Sequence, residues 1–258
     1  MQKTFSRALR GAFALAPLAL AAGSAFGQAT IKEDGQWRAA LGASLSSSGG
    51  NTRTTTLVGL GDAARATAND KTSLYAIALY GTSQGSKTAD LWRLGGKHDW
   101  NLSSQLYVFG LAELERDELA RLQSRITLAG GAGWRIFHTD ALRFEAFGGG
   151  GFVADDYKGA RQLDGALRSN YSTAVLLAGE ESVHKLGQST TARQRLVLFP
   201  NVSNRGEYRL QWDAGIAVPA SQSLNLTAGV SARFNSDPGS GVKRSDTLLT
   251  TGVTIKFD

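Results

Sequence analysis

The 258 residues include no cysteine, so the chain forms no disulfide and offers no thiolate for catalysis or metal binding. Proline is scarce at four residues and histidine scarcer at three, against 31 glycines. Such a balance suits long paired strands with close backbone approaches. The charged fraction of 19% is too low for a disordered chain. Beyond residue 30 no segment supplies the roughly 18 consecutive apolar residues of a spanning helix. No basic cluster is interleaved with stacking aromatics, which removes nucleic acid as a partner.

The opening residues have a different character. Lys3, Arg7 and Arg10 precede the apolar run Gly11 to Ala22, and small residues follow at Ala25, Gly27 and Ala29. This layout predicts a secretory signal peptide over residues 1–29, cut before Gln28 or Thr30. The run is too short for a bilayer core of ~30 Å. Removing its three basic residues halves the formal net charge of +6, so the basic character partly belongs to the export signal.

From Gln36 onward the chain reads as one series of strands, without linker or repeat boundary, which predicts a single domain over 30–258. Twelve segments emerge, at 36–46, 53–66, 72–82, 88–100, 105–116, 122–137, 142–153, 164–182, 189–199, 206–218, 223–235 and 245–257. Each reaches the ~9–11 residues that a tilted strand needs to cross a membrane. In 223–235, Leu224, Leu226, Ala228, Val230, Ala232 and Phe234 share one face, and Asn225, Thr227, Ser231 and Arg233 the other. Period two is the strand signal.

A soluble sandwich alternates too, so the connections carry the next step. Even-numbered connections are short, such as Ala68 to Asp70 and His138 to Asp140. Odd-numbered ones read as longer and more polar, at 83–87, 117–121, 154–163, 200–205 and 236–244, with Ser47 to Asn51 the exception. Asp155 and Asp156 fall in one of these expected outer loops. Short turns on one rim and long loops on the other, with an even strand number, are features of outer-membrane barrels. With both termini in the periplasm, Trp37, Trp100, Trp134 and Phe257 stand near one membrane interface and Trp92, Tyr208 and Phe234 near the other, as aromatic girdles do. Hydrocarbon cannot satisfy free backbone groups, so the sheet must close, strand twelve on strand one. The expected fold is all-β: a closed, up-and-down antiparallel transmembrane barrel in the bacterial outer membrane.

Three stretches carry a resemblance. They are Tyr107-Val-Phe-Gly-Leu-Ala-Glu-Leu-Glu-Arg-Asp117 with Ser124-Arg-Ile-Thr-Leu-Ala-Gly-Gly-Ala-Gly133, the ending Phe234-Asn-Ser-Asp-Pro-Gly-Ser-Gly-Val-Lys-Arg-Ser-Asp246, and the turn Ser48-Gly-Gly-Asn-Thr52. Together they resemble the family called salt-induced outer-membrane proteins, a β-barrel family with a domain of unknown function. The resemblance implies an outer-membrane barrel and carries over no catalytic residue; the partners expected of such a barrel are outer-membrane lipids, lipopolysaccharide and the barrel-assembly machinery. The chain departs from the usual terminal aromatic of such barrels, because Asp258 follows Phe257.

The polar face is rich in charge. Arg93, Lys97, Glu113, Glu115, Arg125, Arg135, Arg193, Arg195, Glu207, Arg209, Asp213 and Arg233 have inward parity and are the candidate lumen-lining residues, with Arg38, Arg65, Asp99, Arg143, Glu145 and Lys256 assigned to the same face. Two readings stand. A narrow aqueous pore lined by excess arginine and lysine would favour small anions. Alternatively, arginine–carboxylate networks fill the lumen of a structural envelope protein that conducts nothing. The inward arginines are similar, in architecture alone, to those of twelve-stranded channels for acidic oligosaccharides. A third reading, a lipid-modifying barrel enzyme, would need a Ser–His pair on the outer wall. The histidines are His98, His138 and His184, and no serine motif singles out a partner. The expectation is therefore a non-enzyme without cofactor or metal site.

Overall fold

A computed structural model describes residues 29–257 apart from 49–53, 120, 164–165, 188, 201, 203–207 and 237–243. The signal-peptide expectation, except at its last residue, lies outside the described residues. Twelve strands follow one another: β1 Arg38–Ser48, β2 Thr54–Ala66, β3 Asp70–Ser83, β4 Ser86–Asn101, β5 Leu106–Asp117, β6 Leu122–His138, β7 Leu142–Leu163, β8 Ala166–Leu186, β9 Thr190–Pro200, β10 Tyr208–Pro219, β11 Leu224–Asn235 and β12 Ser245–Phe257. Each pairs antiparallel with its neighbour, and β1 meets β12 from Ala39↔Phe257 to Ala43↔Val253, closing the barrel. Closure removes every sheet edge, so the backbone groups of the wall are paired without help from solvent.

Period two then sorts the side chains. Leu41, Leu45, Ile126, Leu128, Phe152, Leu176, Leu226, Leu249 and Ile255 are among the large apolar residues left exposed on the outer wall. The rim at which β1 starts and β12 ends is called proximal here, the opposite one distal.

The proximal turns share a device. Thr67, Ser103, Thr139 and Ser221 each use the side-chain hydroxyl to accept the backbone N–H three residues on, at Asp70, Leu106, Leu142 and Leu224, with distances of 2.9–3.1 Å. A hydroxyl bond of this kind turns the chain within a few residues. It explains why four different short sequences serve as the same element.

The distal rim differs in two places from the expectation of mostly longer loops. The 83–87 connection is a two-residue turn, with Gln84 at φ 51° and Gly85 at φ 81°, the backbone that matches the twist of paired strands. The expected 154–163 loop is strand: β7 and β8 continue to Leu163 and Ala166, with one irregularity between Asp156 and Arg161. Asp155 is thereby carried onto the inner face, where it is 7% exposed. Composition misleads here, because acidic and glycine-rich sequence resembles a solvated loop although its charge is neutralised inside the barrel.

The glycine run Gly148 to Gly151 lies within β7, opposite Gly131 and Gly130 of β6. A Cβ on Gly131 would stand 2.1 Å from the Gly148 carbonyl oxygen, and one on Gly149 2.2 Å from that of Gly130. The two strands therefore fold sharply toward each other on the inner side, where only hydrogen fits.

Candidate functional site

The inner wall is the chemically rich surface. Toward the distal rim an ion-pair chain crosses β4 to β7. Arg93 donates through Nε to Glu115 Oε2 at 2.6 Å and lies 3.5 Å from Glu113 Oε1. Arg125 reaches Glu115 Oε1 at 3.4 Å and grips Asp155 through Nε at 2.5 Å and Nη2 at 2.6 Å. The Tyr157 hydroxyl donates to Asp155 Oδ2 at 2.7 Å, and the Tyr75 hydroxyl donates to Glu113 Oε2. Glu115 is 0% and Arg125 4% exposed, so each charge is answered by its neighbour and not by water. Burial of charge is tolerated only with such partners. A second, smaller group joins β10 and β11: Asp213 is paired with Arg233 at 2.7 Å and accepts from Gln211 at 2.9 Å and from Ser231.

Beside these charges the inner face carries an apolar cluster that the charge-rich face expected from the sequence did not include. Tyr107, Phe109, Phe147, Val153, Val175, Leu177, Val197 and Phe199 form one buried cluster on β5, β7, β8 and β9. Cations lie over its rings, with Lys97 at 4.9 Å and Arg135 at 4.8 Å from the Tyr107 centroid, Arg195 at 5.3 Å from Phe147 and Arg209 at 5.9 Å from Phe199. These are cation–π distances. The rings lie close to the wall because glycine faces them across the strands. Tyr75 pairs with Gly95 and Tyr107 with Gly133, and a Cβ on either glycine would lie 2.2 Å from the tyrosine ring.

The proximal zone holds Lys71 and Lys97 on either side of Asp99, at 3.0 and 2.7 Å. Residues 29–36 turn back against this mouth. The Ala29 amide donates to Asp62 Oδ2 at 2.7 Å, Gly35 donates to the Ala66 carbonyl at 2.8 Å, and Asp34 is forked onto Arg38 at 2.9 and 2.6 Å. The Arg38 guanidinium holds the Asp34 carboxyl well below the usual carboxylate range. A cavity of about 390 Å³ remains between this segment and the proximal ends of β2, β3, β4, β6 and β7.

Of the candidate lumen residues, Arg93, Lys97, Glu113, Glu115, Arg125, Arg135, Arg193, Arg195, Arg209, Asp213 and Arg233 lie at inward register positions, and Glu207 lies outside the described residues. Arg65 is on the other face, because its neighbour Ala64 pairs with the inward Arg38; it donates to the Gly35 carbonyl at the rim. Trp37, Trp92, Trp100, Trp134, Tyr208, Phe234 and Phe257 stand on the outer face, with His98 packed on Trp100 at 4.4 Å and Phe234 on Tyr208 at 5.7 Å.

The outer wall carries a polar group on β8 and β9 that was not read from the sequence. His184 Nε2 lies 3.2 Å from Ser182 Oγ, and Gln194 donates to Glu180 Oε1 at 3.1 Å. Ser182 is only 2% exposed, and no described carboxylate bonds to the remaining ring nitrogen of His184. The pair thus lacks both access for an ester and the third group that orients a catalytic imidazole.

Comparison with solved structures agrees with the topology. The NanC porin covers 85% of this chain and all of its own at 13% identity and a TM-score of 0.50. The translocator domain of the autotransporter NalP from Neisseria meningitidis aligns at 15% identity and a TM-score of 0.51, over 85% of this chain and 87% of its own. Likeness at this identity shows a shared barrel fold. No curated protein matches the chain. The family profile described as a protein of unknown function, DUF481, matches residues 41–257, and the chain belongs to that family.

Proposed function

We propose that this is an outer-membrane barrel, exported by its first 29 residues and holding both termini in the periplasm, whose lumen is closed by its own side chains. It serves the envelope as a structural element among outer-membrane lipids and lipopolysaccharide, inserted by the barrel-assembly machinery, and is not an enzyme. The outer wall of exposed leucine, isoleucine and phenylalanine supports a lipid environment, since water would leave so large an apolar surface unsatisfied. The observation that carries closure is the chain Arg93–Glu115–Arg125–Asp155, buried and charge-matched along four strands. A conducting pore needs charges that face water, whereas paired and buried ones neutralise one another.

A narrow anion-preferring channel is the second reading. It is favoured by the cations spread over the inner-face rings, Lys97, Arg135, Arg195 and Arg209.

The chain's lack of cysteine gives a direct test. Thr127 faces inward at 0% exposure, and Ser221 sits in an exposed proximal turn. In the folded protein Ser221→Cys should react with a membrane-impermeant maleimide while Thr127→Cys stays unmodified until unfolding. Comparable labelling rates would mean a water-filled lumen and favour the channel.

A further inference from the structure

We propose that the proximal mouth is a binding site for a small organic acid, its carboxylate held by the guanidinium groups of Arg135 and Arg143. The inference goes beyond the structural role above and holds whether or not the lumen conducts.

Four observations lead to it. The cavity of about 390 Å³ is large enough for a small aromatic or branched aliphatic acid. Its two arginines are not consumed by carboxylates. Arg135 donates to a neutral acceptor, Asn101 Oδ1, at 2.7 Å, and stacks over Tyr107 at 4.8 Å. Arg143 makes no hydrogen bond or ion pair with a described residue, although it lines the cavity and is only partly exposed. Guanidinium groups left with free donors are matched to carboxylate oxygens.

Of the three acids that line the cavity, Glu33 is exposed and the other two are engaged. Asp70 accepts from Thr67 Oγ1 at 2.8 Å and lies 3.8 Å from Arg65. Glu145 stands within the field of both Lys71 and Lys97.

The site is also organised before any ligand arrives. Tyr107, fully buried against Gly133, fixes the plane on which the Arg135 guanidinium rests. The opposite wall is the chain segment around Ile31, held by the Gly35–Ala66 bond and by the fork of Asp34 on Arg38. A site preorganised in this way loses little on closing around its ligand.

The class of ligand follows from what lies beside the cations. Ile31 and Ala66 give the cavity apolar walls, and Phe137 and Phe144, on the outer-face register of β6 and β7, reach it at the rim. An inorganic ion would leave those walls against water, whereas an acid with an apolar body covers them.

The test is calorimetric titration of the full mature protein, in detergent micelles at low salt, with benzoate, with benzyl alcohol as its uncharged counterpart, and with inorganic phosphate. Benzoate should bind saturably at one site, benzyl alcohol should not, and phosphate should bind more weakly than benzoate. Arg135→Gln and Arg143→Gln should each weaken benzoate about tenfold, the loss expected for a charge-assisted hydrogen bond. Arg143→Lys should retain part of the affinity. Arg143 has no partner among the described residues, so its variants should keep the heat-dependent gel mobility of the folded barrel. Absence of saturable benzoate binding, equal binding of benzyl alcohol, or unchanged affinity in folded Arg143→Gln would each overturn the site. Phosphate binding as tightly as benzoate would overturn the assignment to an organic acid.

Discussion

Arg125 on β6 holds Asp155 on β7 through two guanidinium nitrogens, one to each carboxylate oxygen, at 2.5 and 2.6 Å. Both residues are nearly inaccessible, so neither charge survives alone at low cost. Arg125→Ala, or Asp155→Ala, should destabilise the barrel by about 3–5 kcal/mol, because each leaves a buried charge unanswered. Replacing the two together with Met and Leu should cost much less than either single change. Unfolding in urea, followed by the loss of heat-dependent gel mobility, measures all three. Additive losses would show that the two side chains do not act as a pair.

The tyrosine–glycine contacts give a second expectation. Gly133→Ala places a methyl group where the Tyr107 ring lies, 2.2 Å from its Cζ. The ring must leave its place, which also disturbs Lys97 and Arg135 above it. A loss of about 1–3 kcal/mol is expected, as for other overpacked sites. Gly85→Ala, in a turn with open space but positive φ, should cost about 1 kcal/mol by backbone strain alone. Tyrosine fluorescence should shift in the first variant and stay unchanged in the second. A shift in neither would place the ring elsewhere.

The outer wall should report its depth. Leu128 lies six residues from Trp134 toward the middle of β6, and Ile136 lies just beyond that tryptophan. Leu128→Arg should cost about 2–4 kcal/mol in lipid vesicles and Ile136→Arg about 0–1 kcal/mol, the gradient expected between bilayer midplane and interface. Equal penalties at the two positions would mean that no membrane boundary falls near Trp134.

Orientation is tested on whole cells. An epitope between Gln84 and Gly85, in the distal two-residue turn, should be reachable from outside, and one at Ser221 only after the outer membrane is opened. The reverse pattern would put the termini outside.

Strand number and closure were legible in the sequence because period two is a local signal, and a one-residue slip would expose every inward charge. The β10 and β11 faces are the clearest case, with Asp213 opposite Ser231 as the alternation requires. The interior was less legible. Tyr107, Phe109 and Leu111 share a face with Glu113 and Glu115, so counting along β5 from its glutamates would have placed those rings inside. They were hidden because both faces of that half-strand are apolar, and hydrophobicity alone cannot then say which side meets lipid. Asp155 was hidden for the opposite reason: its partner Arg125 lies on a neighbouring strand, and one strand's composition carries no trace of the charge that neutralises it. The N-terminal segment folded into the mouth left no periodic signal, since its bonds to Asp62 and Ala66 run from single backbone groups.

The most direct measurement is single-channel recording of the purified protein in a planar bilayer. A lumen closed by Arg93, Glu115, Arg125 and Asp155 predicts a silent membrane for the wild type. It also predicts that any current appears only in variants that remove those side chains while the barrel stays folded. Stable, ohmic steps from the wild-type protein, carried mainly by anions and losing that preference as salt screens the lumen, would contradict closure and establish a channel.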